Sequence, residues 1–391
     1  MYYADLAKAK RPAILVGGGA FEASRLIENF AGQYGIPCFR TWNAQDVITD
    51  DMPIYAGTVG TYGGPGRNFG IQNCDLLLSL GCRMSGRITG GQPETFARGA
   101  KKYIVDVDKA ALYPEYQQVK GDVNAHMTCT EFMMQRKTVG NHFQSWLEKC
   151  VAWRNKYDPV KPEMLTGEFH HYGFMRQLSE LLPSEAIVVS DTGGNVIMMG
   201  HCFKSKRGQR IFTSNGNTPM GFAMCGAIGA WFAEPTRPII CIIGDGGMCM
   251  NSQELQTIKR HNIPIKVFVI NNKVLGNTAS YQRVNGMKNV ACAAPDYEPP
   301  DFRKLARAYD LMAYSIDTWD LVPQIVGMMM ASNEPAICDV VHEDFCTYEP
   351  RLSVWEGGIE EMFPSLPKDE FIQNMIVPPI AGWEKRRETM R

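Results

Sequence analysis

Residues 238–272, PIICIIGDGGMCMNSQELQTIKRHNIPIKVFVINN, leave a chain few ways to fold. Two short aliphatic runs, IICIIG and IKVFVI, flank a segment with helical spacing. Short runs that are apolar on both faces are strands of a parallel sheet covered by helices on each side. A strand, a helix and a strand of this length close as a right-handed crossover, which brings both strand ends to one edge of the sheet. Open α/β sheets bind ligands at that edge. The first strand empties into Gly244-Asp245-Gly246-Gly247 and the second into Asn271-Asn272, so Asp245 and Asn272 meet there. "VVSDTGGN" ends a third strand in Asp191-Thr192-Gly193-Gly194, directed to the same edge.

A carboxylate, an amide oxygen and loop carbonyls form a hard-oxygen donor set. It suits Mg²⁺, which keeps octahedral oxygen coordination and shares its shell with substrate phosphates. Glycines around Asp245 let backbone N–H groups approach those phosphates, with a helix start behind them. The segment therefore reads either as a magnesium-diphosphate clamp or as a glycine turn followed by an Asn-rich turn, both common after strands. Spacing alone does not separate the two. No Gly-Lys-Ser/Thr follows, so it is not a Walker A loop. "VGGGAFE" at 16–22 fails the dinucleotide pattern G-x-G-x-x-G by having Glu22 in the last place.

The same strand-helix rhythm runs through the first ~135 residues, in "AILVGGG", "EASRLIENFAGQYG", "CDLLLSLGC" and "KYIVDVD". The expected class is α/β, two doubly wound parallel-sheet domains with an extended tail. The expected boundaries are a first domain over 1–137, a linker helix and loop over 138–166, a second domain over 167–348 and a Pro-rich tail over 349–391. The tail reads as an arm that packs on something else.

A net charge of -1 and the lack of a long basic run argue against nucleic acid or an anionic membrane as partner. No run approaches the ~20 apolar residues of a membrane span, and the N-terminus lacks the apolar core of a signal peptide, so the expected location is the cytoplasm. The 12 cysteines form no C-x-x-C pair. Set singly in apolar runs (Cys74, Cys225, Cys241, Cys338), they read as buried reduced thiols. The seven histidines form no zinc spacing with them, and His170-His171 reads as a polar turn before a helix.

Taken together, "GDGGMCMNSQELQTIKRHNIPIKVFVINN", "TPMGFAMCGAIGA" and "QNCDLLLSLGCRMSGRITG" resemble blocks of thiamine-diphosphate (ThDP) enzymes, specifically the acetolactate synthase large-subunit group. The resemblance covers nearly the whole chain, as a central domain followed by a diphosphate-binding domain. It implies Asp245, the Asn272 side chain and the Val274 carbonyl as Mg²⁺ ligands. Gly244, Gly246, Gly247 and Met248 would cradle the diphosphate with Gly194 and Asn195. Met220 would be the apolar wedge that bends the cofactor; the plainer reading is a core methionine at a helix start. In the central domain the family often holds FAD, and the matching positions are Gly18, Gly19, Arg83, Arg87, Ile88, Asp106 and Asp122. Ser85 stands where the family has Asp, and the plainer reading of Arg83 and Arg87 is two solvated charges on a loop.

Where the family carries Met and Trp after the Asn pair, "NNKVLGNTASYQ" offers Asn277 and Tyr281 as pocket residues. A polar group there favours a substrate that pairs with it, so the acceptor could be a sugar or another aldehyde or ketone rather than pyruvate. The family's pyrimidine-binding domain, whose glutamate hydrogen-bonds the aminopyrimidine ring, matches nothing in this sequence, and no glutamate here takes its role. The resemblance therefore implies a ThDP- and Mg²⁺-dependent 2-oxo acid decarboxylase and carboligase. It would work as an oligomer with a chain carrying a pyrimidine-binding domain, against an apolar face around Met220 and the 221–233 helix. The competing reading is a non-catalytic module that keeps the folds without turnover.

Overall fold

The computed structural model describes residues 1–390 apart from 114, 116 and 136. It has two compact units, Met1–Pro159 together with Glu349–Arg391, and Val160–Tyr348.

The first unit is built on strands β1 (Pro12–Val16), β2 (Cys38–Arg40), β3 (Tyr55–Thr58), β4 (Leu76–Leu80), β5 (Lys101–Asp106) and β6 (Val123–His126). They form one parallel sheet in the order β3-β2-β1-β4-β5-β6. Every residue of β1 and β4 is buried, as strands covered on both faces must be. The helix Ser24–Tyr34 turns Ile27, Phe30, Ala31 and Tyr34 inward and stops at Gly35, whose φ of 66° is the left-handed cap.

The helix Gln144–Lys156, read from sequence as a linker, packs into this unit. Trp146, Cys150 and Trp153 are buried in its core, and the Trp146 indole donates to the Pro12 carbonyl at 3.0 Å. The arm from 349 onward also joins this unit. Asn73 holds it by its main chain: Nδ2 donates to the Asn374 carbonyl at 2.8 Å, and Oδ1 accepts from Ile376 and Val377 at 2.7 and 2.9 Å. Phe371 enters the core, and the buried Glu360 pairs with Arg98 at 2.9 Å.

The second unit carries β7 (Ile187–Ser190), β8 (Arg210–Phe212), β9 (Ile239–Gly244), β10 (Lys266–Asn271), β11 (Met312–Ile316) and β12 (Ala336–Val341). Their order is β11-β12-β10-β9-β7-β8, again all parallel. This is the α/β class of two parallel-sheet domains expected from sequence. β9 and β10 are direct neighbours with Cys241 opposite Val267, and β7 flanks β9 on the other side. Three consecutive strand ends therefore share one edge.

The helix Phe222–Ala233 is apolar all round. Ala223, Met224, Ala227 and Ile228 face the sheet, while Cys225, Gly229 and Phe232 face outward and are exposed. Cys225, expected to be buried, is corrected by this geometry: an apolar sequence with no periodicity cannot say which side of the helix meets the core. No cysteine forms a disulfide, and Cys249 is exposed as well. Among the described residues no helix is long and apolar enough to cross a membrane.

Candidate functional site

The carboxyl ends of β7, β9 and β10 open into one pocket of the second unit. Asp191, just after β7, is buried and accepts from the Gly221 amide at 3.0 Å through Oδ2, so it caps the helix Phe222–Ala233. Burial raises its proton affinity, and the amides of Gly221 and Thr192 oppose that rise. Gly247 packs directly on this carboxylate. A Cβ there would lie 2.0 Å from Asp191 Oδ2, so only glycine lets the two loops meet.

Asp245 opens the short helix Asp245–Met250 and is only 3% exposed. Its Oδ1 accepts from the Gly246 amide at 2.7 Å, while its Oδ2 is buried without a hydrogen-bond partner. Burial pushes the carboxyl up to about 7, against the pull of the Gly246, Lys273 and Val274 amides and the Tyr297 hydroxyl. A buried carboxylate with an uncommitted oxygen is costly alone and is stabilised by a cation.

Asn272, at the end of the neighbouring strand, is held by its nitrogen. Nδ2 donates to the Phe345 carbonyl at 2.5 Å, which leaves Oδ1 as the uncommitted end of the amide. Lys273 at φ 53° then turns the chain so that Val274 joins the pocket wall. Across the pocket, Asn195 follows Gly193, whose φ of 68° starts the helix Gly194–His201. Asn195 Nδ2 donates to the Thr192 carbonyl at 3.2 Å, and its Oδ1 is buried without a partner.

The pocket wall gathers Gly194, Asn195, Met220, Gly244, Asp245, Gly246, Gly247, Asn272, Val274 and Asn277. Met220 is 39% exposed and leans on Gly246, with its methyl 3.0 Å from where a Cβ would stand. It is therefore not the core methionine of the plainer reading. Two expected residues are not in the wall. The Met248 side chain is buried in the core behind the pocket, leaving only its backbone at the helix start. Tyr281 sits one turn beyond Asn277 on the helix Gly276–Val284 and is 65% exposed. The family's Met and Trp positions suggested it, but the pocket ends before that turn.

The wall residues that the sequence reading did not assign include His171, Phe345 and Tyr348. His170 caps the helix His171–Leu181, its Nδ1 accepting from the Tyr172 amide at 3.0 Å, as expected of a polar turn before a helix, but His171, read as part of that turn, is the first helical residue instead. His171 is fully buried. Its Nε2–H donates to the Val340 carbonyl at 3.2 Å, leaving Nδ1 as a buried acceptor without a partner. Burial, with the imidazole of His342 beside it, pushes His171 down to about 3. The His-His pair was the only visible signal of this corner; Phe345 and Tyr348 belong to no motif.

In the first unit, Gly18 and Gly19 follow β1, Arg83 and Arg87 follow β4, and Asp106 ends β5, so all five stand at the carboxyl edge of adjacent strands. The Gly17 amide donates to the Leu80 carbonyl at 2.9 Å and the Gly19 amide to the Gly81 carbonyl at 3.2 Å, which packs these loops backbone to backbone. Arg83 and Arg87 are exposed, and the Ile88 side chain is buried. Asp122 does not belong to this group. It precedes β6, and its carboxylate accepts from the Lys102 amide near the start of β5 at 2.7 Å, at the opposite edge of the sheet. The reason is topological: Asp122 opens a strand, whereas a residue of this site must close one.

Comparison with known proteins gives matches to two family models. Residues 3–130 match the thiamine pyrophosphate enzyme central domain, and residues 191–340 match the thiamine pyrophosphate enzyme C-terminal TPP-binding domain. A probable acetolactate synthase large subunit of Methanococcus aeolicus is 31% identical over 363 residues, covering 85% of this chain and 58% of the relative. The acetolactate synthase isozyme 2 large subunit of Escherichia coli (strain K12) is 28% identical over 347 residues, 86% of this chain and 60% of the relative. A probable acetolactate synthase large subunit of Methanocaldococcus jannaschii is 31% identical over 363 residues, 86% of this chain and 58% of the relative. The chain thus spans less than two thirds of the length of these relatives.

Proposed function

Because the chain belongs to the thiamine pyrophosphate enzyme family and carries its central and C-terminal domains, we propose that it binds ThDP with Mg²⁺ at the 191–348 pocket, for acetolactate-synthase-like decarboxylation and carboligation of a 2-oxo acid such as pyruvate. The observation that carries this reading is the buried, unpartnered Oδ2 of Asp245 beside the oriented amide of Asn272 in a glycine-lined pocket. Asp245, Asn272 and the Val274 carbonyl would hold the metal. The glycine backbone at 194 and 244–247, with the Met248 amide and Asn195, would receive the diphosphate, and Met220 would support the thiazolium ring. ThDP, when bound, supplies an electron sink for carbon–carbon bond cleavage and formation. The protein's part is to fix the diphosphate, exclude water with Met220 and present Asn277 to the substrate.

Among the described residues no glutamate lines this pocket. The group that hydrogen-bonds the aminopyrimidine would come from a pyrimidine-binding domain on another chain, within an oligomer. The outer face of the Phe222–Ala233 helix, with Phe232 and the neighbouring Met250 exposed, is an apolar patch that favours such cover. At the carboxyl edge of the first sheet, Gly18, Gly19, Arg83, Arg87, the Ile88 backbone and Asp106 would receive FAD.

Calorimetric titration of Mg²⁺ and ThDP into the chain and into Asp245→Ala tests the metal assignment. The variant should lose Mg²⁺-dependent binding while keeping its circular dichroism; equal affinity in both overturns the assignment. Pyruvate turnover with a separately expressed pyrimidine-binding domain tests the chemistry. Binding without turnover in that mixture would favour the non-catalytic module.

A further inference from the structure

Tyr348 is 3% exposed although it belongs to the pocket wall. Its ring is held edge-on by Phe345, with centroids 5.6 Å apart and planes at 87°. Phe345 is also the residue whose carbonyl fixes the Asn272 amide, so this segment is tied to the strand end that would carry the metal. The Tyr348 hydroxyl points between two other loops. It lies 2.2 Å from where a Cβ would stand on Gly194 and 2.3 Å from where one would stand on Gly276. No side chain at either position could coexist with the phenol in this place. Glycine at 194 and 276 is what admits it.

Gly194 is the first residue of the helix Gly194–His201 and Gly276 the first of the helix Gly276–Val284. Two helix N-termini, each with unsatisfied N–H groups and the positive end of its dipole, thus converge on the Tyr348 oxygen. The unpartnered Asp245 Oδ2 in the same wall independently marks the pocket as built for a charged ligand. A diphosphate is an acceptor-only ligand, and a phenol brings a donor without adding net charge.

Resting on the ThDP reading of this pocket, we propose that Tyr348 is a ligand-contact residue whose hydroxyl donates a hydrogen bond to an oxygen of the bound diphosphate. It fixes the position of that group against the Gly194 and Gly276 helix starts. Glycine at 194 brings no side chain to the first position of its helix, and Tyr348 adds a donor there from a distant part of the chain.

The test is calorimetric titration of the full chain and its Tyr348→Phe variant with Mg²⁺–pyrophosphate and, separately, Mg²⁺–ThDP. Losing one hydrogen bond to a charged oxygen should weaken both ligands about 10- to 100-fold. Gly194→Ala, whose added methyl would meet the Tyr348 ring and hydroxyl first but leaves Tyr348 in the sequence, should weaken both ligands too; it carries the test if Tyr348→Phe does not fold. Equal or tighter pyrophosphate binding by the folded variants overturns the contact while leaving the ThDP reading intact. Weakened ThDP binding with unchanged pyrophosphate binding also overturns it, since the hydroxyl would then touch another part of the cofactor. Failure of the unmodified chain to bind either ligand overturns the pocket reading itself.

Discussion

His171 should make the second unit sensitive to acid. Its imidazole is fully buried and stays neutral in the fold down to about pH 3, whereas an unfolded histidine takes up a proton near 6.5. Below 6.5 the unfolded chain therefore binds more protons than the folded one, and stability falls as the pH falls. The contribution is fully present above 6.5 and is lost progressively towards pH 3. Each tenfold difference in proton affinity is worth about 1.36 kcal/mol, so moving from pH 7 to 4.5 should remove about 2.5 kcal/mol through His171 alone. His171→Gln isolates this. A glutamine amide can still donate to the Val340 carbonyl that the Nε2–H now satisfies, but it does not titrate. The groups facing His171 are His170 and His342, both held down mainly by burial, with Glu168 acting on His342; all three remain in the variant. Urea unfolding of both proteins at pH 7 and 4.5 gives the measurement. The unmodified chain should lose about 2.5 kcal/mol more than His171→Gln over that range. Equal losses would refute the reasoning, because they would mean that this imidazole is already protonated in the fold or never buried.

The remaining predictions concern the first unit. Protein incubated with FAD and then desalted should keep flavin absorbance if the carboxyl edge of the first sheet receives it; Arg83→Ala with Arg87→Ala should lose the colour. Asp122→Ala, at the opposite edge, should keep it. Glu360→Ala removes a 1%-exposed carboxylate that pairs with Arg98 and accepts from Gln72 at 2.5 Å. Removing one partner of a buried pair costs about 3–5 kcal/mol, to be read as a lowered urea midpoint. A change below about 1 kcal/mol would mean that Glu360 does not hold the arm.

Local pattern carried a large part of this protein. The unit from β9 to β10 spans 33 residues and its handedness is set by strand twist, so the meeting of Asp245 and Asn272 was legible from two apolar runs and the helix between them. The third strand end, at Asp191, followed from the same pattern. Periodicity reports which face of an element is apolar, but it is silent on which distant element covers that face. Hence the helix Gln144–Lys156 looked like a linker until Trp146 and Trp153 were seen in the first core, and the arm beyond 349 had no destination until Asn73 took its main chain. Asp122 matched a motif by type, yet one strand boundary put it at the wrong edge of the sheet. Tyr348 was illegible for the opposite reason. Its place depends on space left by glycines 154 and 72 residues earlier in the chain, and a missing side chain becomes a site only when folding brings another residue to fill it.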